Sequence, residues 1–149
     1  MVWRLRQVIY LLDTVAASEF EKPSLNYGFQ EFFKSVPAES IRISVVTLGE
    51  LNYGLERLPP GRRRNRIADW LEIFEDKFRD RTIPVDEPIA RTWGALRVTV
   101  QRSGFNIAYD DLLIAATALH HDLTVVTRNV KDFTPTGCKI RNPWNTELD

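Results

Sequence analysis

The 149-residue sequence has little cysteine and no long hydrophobic run. Cys138 is the single cysteine, so an internal disulfide is excluded, and no group of Cys and His residues has the spacing of a zinc site. The apolar run Val8–Leu12 is too short for a membrane span or the core of a signal peptide. We therefore expect a protein of a reducing, cytoplasmic compartment that has no membrane partner.

The sequence also lacks an excess of charge of either sign, because 20 Lys and Arg residues balance 20 Asp and Glu residues. A protein that coats nucleic acid nonspecifically usually has a basic excess, since it must neutralise many phosphates. That class is excluded. A neutral total remains compatible with a phosphate-bearing substrate if the acids gather in one pocket and the arginines lie elsewhere.

The length and the absence of repeats or linkers predict one globular domain over residues 1–149. Short apolar or β-branched segments alternate with longer segments of helical periodicity. The expected strands are Val8–Leu12, Ile41–Val45, Arg81–Val85, Leu123–Thr127 and Lys139–Arg141, with the third and the last at edges of the sheet.

Four helical patterns lie between these strands. They cover Leu48 to Leu58, Ile67 to Phe78, a stripe from Ile89 to Val100 that Asp86 is placed to cap, and the apolar segment Asp111 to His121. Alternation of strands and helices predicts an α/β fold with a mostly parallel sheet of four to five strands. In such sheets, binding sites form beyond the carboxyl ends of the strands.

Four acids follow or adjoin the ends of predicted strands: Asp13, Glu50, Asp111 and Asp132. We expect them to meet at one edge of the sheet, where mutual repulsion would raise some of their pKa values. A hard divalent cation such as Mg²⁺ or Mn²⁺ prefers oxygen ligands and would relieve this repulsion. The chemistry that uses such a site is hydrolysis of phosphodiester bonds.

Four segments carry a resemblance to a known family. They are Leu11–Thr14, Thr47–Leu51, Asp111–Ala118 and Thr127–Phe133, followed by Asn142–Trp144. In this order they are similar to the motifs of PIN-domain ribonuclease toxins of the VapC and FitB type, and the resemblance covers nearly the whole chain. It implies a three-layer α/β/α PIN fold and a Mg²⁺- or Mn²⁺-dependent endoribonuclease that cleaves tRNA or other structured RNA.

The resemblance further implies metal-ligand or catalytic roles for Asp13, Glu50, Asp111 and Asp132. It implies a homodimer that is the toxin of a type II toxin-antitoxin pair and is neutralised by a VapB-like antitoxin. Val15 departs from the family pattern, which commonly has Asn there, so one polar group near the metal is missing. Residues 1–7 are longer than the usual lead-in and are expected to be an N-terminal extension or to follow from an upstream start codon.

Other polar residues accompany the acids, and each has a structural alternative. Thr14 and Thr127 could position a water or a phosphate, although β-branched residues at strand ends are often structural. The resemblance places the Asn129 side chain near the site. Glu19 is either an outer member of the pocket or an acid that favours a helix start. Asp110 is expected to be the N-cap of the helix that contains the ligand Asp111.

The densest basic cluster consists of Arg62, Arg63, Arg64 and Arg66. It is either a solvated helix face or a binding site for the RNA backbone, with Trp70 and Tyr53 as candidates for base stacking. Two alternative functions also stay open. One is a PIN-type nuclease in RNA maturation or acting on DNA, and the other is a catalytically silent module that binds an antitoxin.

Overall fold

A computed structural model describes residues 6–145, without the side chain of Asn145. Of the expected N-terminal extension, residues 1–5 lie outside the described part. The strands are β1 (Tyr10–Leu12), β2 (Ile41–Ser44), β3 (Thr82–Ile83), β4 (Thr124–Val126) and β5 (Lys139–Arg141). They form one parallel sheet in the order β3-β2-β1-β4-β5. The predicted parallel α/β fold is confirmed, and the sheet has five strands.

Within residues 6–145, seven α-helices lie between these strands. They are α1 (Thr14–Glu19), α2 (Tyr27–Ser35), α3 (Val45–Glu56), α4 (Arg62–Lys77), α5 (Glu87–Arg102), α6 (Tyr109–His121) and α7 (Val130–Phe133). Short 3₁₀ turns cover Ala38–Ser40, Arg79–Arg81, Thr134–Thr136 and Pro143–Asn145. No helix within residues 6–145 is long and apolar enough to cross a membrane.

The sheet separates two hydrophobic cores, because successive side chains of a strand point to opposite faces. Leu11 and Val125 face the core that α5 and α6 cover, whereas Leu12 and Val126 face the core that α1, α2 and α4 cover. All four side chains are fully buried. At these positions β1 and β4 therefore carry apolar side chains toward both faces, as expected for a sheet with helices on both sides.

Capping side chains determine where several helices begin. Asp86 accepts a hydrogen bond from the Ile89 backbone N–H and caps α5, as predicted. The Ser44 hydroxyl accepts from the Val46 N–H, so the chain turns into α3 at Val45. The prediction that Val45 ends a strand is therefore wrong by one residue.

The expected capping role of Asp110 is also wrong. The N-cap of α6 is Ala108, and Asp110 is the second residue of the helix, where its carboxylate accepts a hydrogen bond from the Asp111 N–H at 3.0 Å. An acid in the first turn still favours the helix through the helix dipole. The side chain of Asp110 thereby lies beside Asp111, and burial together with the negative charge of Asp110 raises the pKa of Asp111.

The strand order places β1 in the middle of the sheet. The chain proceeds from β1 through β2 to β3 on one side, and then returns to β4 and β5 on the other. The carboxyl ends of β1 and β4 therefore lie at the point where the direction of strand addition reverses. A crevice at this point is the usual binding site of an open α/β sheet.

Candidate active site

Asp13 lies at the carboxyl end of β1 with only 2% of its surface exposed. One carboxylate oxygen accepts a hydrogen bond from the Ala16 backbone N–H at 2.8 Å and thereby caps α1. The other accepts from the Thr127 hydroxyl at 2.6 Å. Burial raises the pKa of Asp13 to about 6, although these two hydrogen bonds oppose the shift. The Asp13 side chain therefore caps α1 and also lies at the predicted site.

Thr127 follows β4 and is fully buried. Its hydroxyl donates to Asp13 and also accepts a hydrogen bond from the Asn129 backbone N–H at 2.9 Å. Asn129 therefore contributes its main chain to this network, and its side chain makes no capping hydrogen bond to α7. The loop from β4 to Asp132 is anchored directly to the first acid.

Glu50 projects from the second turn of α3. Thr14, which begins α1, donates a hydrogen bond to the Glu50 carboxyl group. The Thr14 and Thr47 hydroxyl oxygens are 3.3 Å apart. Burial and a hydrogen bond to Asp110 raise the pKa of Glu50 to about 7. The same hydrogen bond lowers the pKa of Asp110.

The four acids predicted from the sequence lie together. The pKa of Asp111 is raised to about 6, first by burial and then by the negative charges of Asp110, Asp13 and Asp132. The charge of Asp132 also raises the pKa of Asp13, and that of Asp111 raises the pKa of Glu50. The repulsion expected from the sequence is therefore present, with Asp110 as an additional member. We call these residues the acid cluster: Asp13, Glu50, Asp110, Asp111 and Asp132.

No three Asp, Glu, His or Cys side chains in the described part of the chain converge closely enough to hold a metal ion by themselves. Mg²⁺ does not require such a cage, because it usually keeps several waters and takes one or two carboxylates from the protein. The donor set consists of carboxylates alone, and burial, followed by the charges of the neighbouring acids, raises three of their pKa values. These properties fit a hydrated Mg²⁺ or Mn²⁺ ion.

Glu19 lies outside the acid cluster although it is buried, with 2% exposure. Its carboxylate pairs with Lys22 at 2.7 Å and accepts from the Asn26 backbone N–H at 3.0 Å. Burial alone would raise its pKa, but these hydrogen bonds and the positive charges of Lys22 and Arg128 lower it. Glu19 therefore joins the end of α1 to the start of α2. Val15, the departure from the family pattern, is partly exposed on α1.

The four clustered arginines have different environments. Arg64 donates to the Leu58 carbonyl oxygen at 2.8 Å and to the last carbonyls of α3, and it pairs with Glu56. Arg66 pairs with Glu21 at 3.2 Å. Arg62 and Arg63 are exposed. The guanidinium of Arg64 is thus occupied by the end of a helix, whereas Arg62 and Arg63 stay accessible.

A groove of about 220 Å³ extends from the acid cluster between α1, α3 and α4. Its lining combines Glu50 and Arg63 with the apolar side chains of Leu51, Leu55 and Trp70. Trp70 therefore shares a surface with Arg63 and with an acid of the site. Tyr53, the other stacking candidate, is exposed on α3 and does not line this groove.

Sequence reasoning missed Asp110 as a member of the acid cluster and Thr47 as a partner of Thr14. Two adjacent acids in the first turn of a buried helix were a signal for Asp110, but the rule for N-caps assigned it elsewhere. Thr47 lies in the segment Thr47–Leu51, but that segment does not predict its contact with Thr14, which joins residues 33 positions apart.

Comparison with known proteins gives consistent matches. The sequence model of the PIN domain matches residues 10–134. Toxin FitB of Neisseria gonorrhoeae is 35% identical over 136 residues, which cover 91% of this chain and 98% of FitB. VapC ribonuclease Y4jK of Sinorhizobium fredii is 32% identical, with 90% and 96% coverage. The crystal structure of FitAcB from Neisseria gonorrhoeae superposes with a TM-score of 0.84 at 34% identity, covering 92% of this chain and 99% of that chain.

Proposed function

This chain belongs to the PIN domain family, and we propose that it is the toxin ribonuclease of a toxin-antitoxin pair. The observation that carries the proposal is the acid cluster around the Asp13–Thr127 hydrogen bond. It lies at the carboxyl ends of β1 and β4, where the direction of strand addition reverses. Relatives that cover at least 90% of the chain are named Toxin FitB and VapC ribonuclease, which supports RNA as the substrate. We propose that tRNA or another structured RNA is cleaved in the cytoplasm.

The proposed reaction is hydrolysis of a phosphodiester bond with Mg²⁺ or Mn²⁺. Asp13 and Asp111 would hold the ion, and Glu50 and Asp132 would hold waters around it. When bound, such an ion supplies an activated water and positive charge for the phosphate oxygens. Thr127 keeps the Asp13 carboxylate in one orientation, and Thr14 does the same for Glu50. Burial of Asp13 excludes bulk water from one side of the site.

The proposed partner is a VapB-like antitoxin, which would insert a segment into the groove next to Glu50. The groove offers apolar contacts from Leu51, Leu55 and Trp70, while the adjacent acid cluster would attract a basic side chain. Occupation of this surface would block access of RNA to the acids. We also propose that the toxin is a homodimer, as the family resemblance implies.

The test is sequencing of RNA ends after induction of the protein, together with cleavage of purified RNA. The proposal predicts new RNA ends in cells, and cleavage in vitro with Mn²⁺ that EDTA abolishes. Coexpression of the antitoxin should remove both. Processing of a precursor RNA without growth arrest would favour a maturation nuclease, and cleavage of DNA alone would favour a deoxyribonuclease. No cleavage and no heat of Mn²⁺ binding would favour a silent antitoxin-binding module.

A further inference from the structure

A cation held by two aromatic rings lies where α5 packs against the first turn of α6. The guanidinium carbon of Arg97, on α5, is 4.6 Å from the ring centroid of Trp93 and 4.1 Å from that of Tyr109. The Trp93 and Tyr109 rings are perpendicular to each other, with centroids 6.0 Å apart. The Trp93 indole N–H donates to the Tyr109 backbone carbonyl at 3.2 Å and holds α5 against the start of α6. We call these three residues the Arg97 cluster.

The polar groups of Arg97 have no acceptor among residues 6–145. Its Nε is buried without a hydrogen-bond partner, and no described carboxylate forms an ion pair with it. Cation–π contacts satisfy the charge but use none of the N–H donors. A buried donor without an acceptor is uncommon and calls for an explanation. The terminal amino groups of the guanidinium donate to none of the described residues either, and unlike Nε they are not buried, so an anion from solvent could reach them.

The position of the cluster suggests which anion. Tyr109 directly precedes Asp110 and Asp111 in the first turn of α6, so its backbone adjoins two members of the acid cluster. It is 56% exposed although it contacts Arg97. An RNA strand with one phosphate at the acids must place its neighbouring nucleotide within a few ångströms, and a positive charge there offsets repulsion by the acids.

We propose that the Arg97 cluster is a binding subsite for the nucleotide adjacent to the cleaved phosphate. Arg97 binds the phosphate of that nucleotide, and the exposed ring of Tyr109 stacks on its base. Guanidinium groups bind phosphate with two parallel hydrogen bonds, and aromatic rings stack on unpaired bases of any sequence. This inference rests on the proposed ribonuclease function and assigns part of its substrate site.

Trp93 acts as a positioning residue. It contacts the guanidinium and fixes the Tyr109 backbone, and is itself only partly exposed. Holding Arg97 in one orientation before RNA arrives reduces the entropy lost on binding. A lysine at position 97 would keep the charge but lose the planar donor geometry and the stacking.

The experiment measures binding of a fluorescein-labelled, single-stranded 12-nucleotide RNA by anisotropy, with Mn²⁺ and in an Asp13→Asn background that spares the RNA. We expect Arg97→Gln to weaken binding about tenfold and to lower the slope of log affinity against log salt by about 0.7, the value for one phosphate contact on a single strand. Arg97→Lys should keep that slope. Tyr109→Ala should weaken binding about tenfold, whereas Tyr109→Phe should not.

Arg91→Gln is the matched control, because Arg91 lies on the same helix, is exposed and pairs with Glu87. It should leave affinity and slope unchanged. In steady-state cleavage with Asp13 intact, Arg97→Gln and Tyr109→Ala should raise KM while kcat stays constant, as expected for lost uniform binding. Melting temperatures near that of the parent protein would exclude unfolding as the cause.

Unchanged RNA affinity and salt slope in Arg97→Gln would overturn the proposal. So would dissociation of an oligomer by Arg97→Gln or Tyr109→Ala with RNA affinity intact, since the cluster would then be a protein contact. If the protein with Asp13 intact binds RNA but cleaves none, the proposed ribonuclease function is wrong. The RNA affinities of the Arg97 and Tyr109 variants would still show whether these residues form a binding subsite. If no variant binds RNA, both proposals fail.

Discussion

The Thr127 hydroxyl donates a 2.6 Å hydrogen bond to the Asp13 carboxylate, joining residues 114 positions apart. The contact connects the carboxyl end of β1 to that of β4, where the order of the sheet reverses. Since the same hydroxyl accepts from the Asn129 N–H, it also anchors the loop that leads to Asp132. One hydroxyl thus positions two segments of the acid cluster.

Thr127→Val should impair the site while keeping the volume of the side chain. It leaves the Asn129 N–H without its acceptor and removes a donor from buried Asp13, at a cost of about 1–3 kcal/mol in the free energy of unfolding. We expect cleavage to fall about 10- to 100-fold, as is typical when a residue that orients a metal ligand is lost. Thr127→Ser keeps the hydroxyl and should retain most of the activity. Urea unfolding and initial cleavage rates measure the two effects, and equal activity of the Val and Ser variants would contradict the role of the hydroxyl.

The acid cluster should make the metal-free protein less stable as the pH rises from about 4, near the pKa of an unfolded carboxyl group, to about 7. The pKa values of Asp13 and Asp111 are raised to about 6, and that of Glu50 to about 7. A raised carboxyl pKa stabilises the folded state at low pH, and this contribution is lost as the pH rises through the folded pKa. For buried Asp13 the loss is on the order of 2–3 kcal/mol.

Scanning calorimetry in EDTA, compared with Mn²⁺, tests this pH dependence. We expect Mn²⁺ to raise the melting temperature at pH 7.5, where the acids are ionised, and to have little effect at pH 5. Asp13→Asn should flatten the pH dependence in EDTA, because it removes one of the raised carboxyl groups. The prediction fails if the metal-free parent protein loses no more stability between pH 5 and pH 7.5 than Asp13→Asn does.

Local sequence patterns were sufficient to predict the sheet and the meeting of the four acids. Strands covered by helices on both faces must be apolar throughout, as Leu11 and Leu12 are, and parallel strands bring their carboxyl ends to one edge. The ends of the strands were less predictable, because tertiary contacts decide them. β4 ends at Val126, one residue before the end of the predicted strand, and the Ser44 hydroxyl caps the helix that begins at Val45.

The arginine cluster should separate into structural and RNA-binding members. Arg64→Ala removes the donors to the last carbonyls of α3, so we expect a loss of about 1–2 kcal/mol in the free energy of unfolding. Arg62→Ala and Arg63→Ala should leave stability within about 0.5 kcal/mol, as for other exposed sites. If Arg62 and Arg63 bind the RNA backbone, each of these two substitutions should raise KM and lower the salt dependence of RNA binding. Thermal unfolding measures the stability of each variant, and anisotropy measures its RNA binding. An Arg64→Ala protein that is as stable as the parent but binds RNA less well would contradict the structural role of Arg64.

Glu19 should contribute to folding and little to cleavage. Glu19→Ala leaves the Asn26 N–H without an acceptor and Lys22 without its partner, for an expected loss of about 1–3 kcal/mol. Glu19→Gln can still accept from Asn26 and should lose less. Because the pKa of Glu19 is lowered in the folded protein, its contribution is present above the unfolded pKa and disappears as the pH falls through the folded value. Urea titrations at pH 7 measure the stability, and strongly reduced kcat with unchanged stability would contradict the structural role.

The features that sequence reasoning missed depend on contacts between distant segments. Asp110 belongs to the acid cluster because α3 brings Glu50 to it, which no rule for helix starts contains. Arg97 is one of several arginines in a helical pattern until folding places it between Trp93 and Tyr109. Trp93 and Arg97 are four residues apart on one helix face, but no local pattern predicts that Tyr109 of the next helix joins them.

The central claim is that the acid cluster hydrolyses RNA, and Asp13→Asn tests it most directly. Asparagine retains an oxygen that can accept from the Ala16 N–H, so the cap of α1 and the fold should persist. Asp69→Asn, at an exposed acid on α4, is the matched control. We predict that Asp69→Asn protein cleaves RNA with Mn²⁺ like the unmodified chain, whereas folded Asp13→Asn protein neither cleaves it nor arrests growth. Full cleavage by folded Asp13→Asn protein would contradict the account.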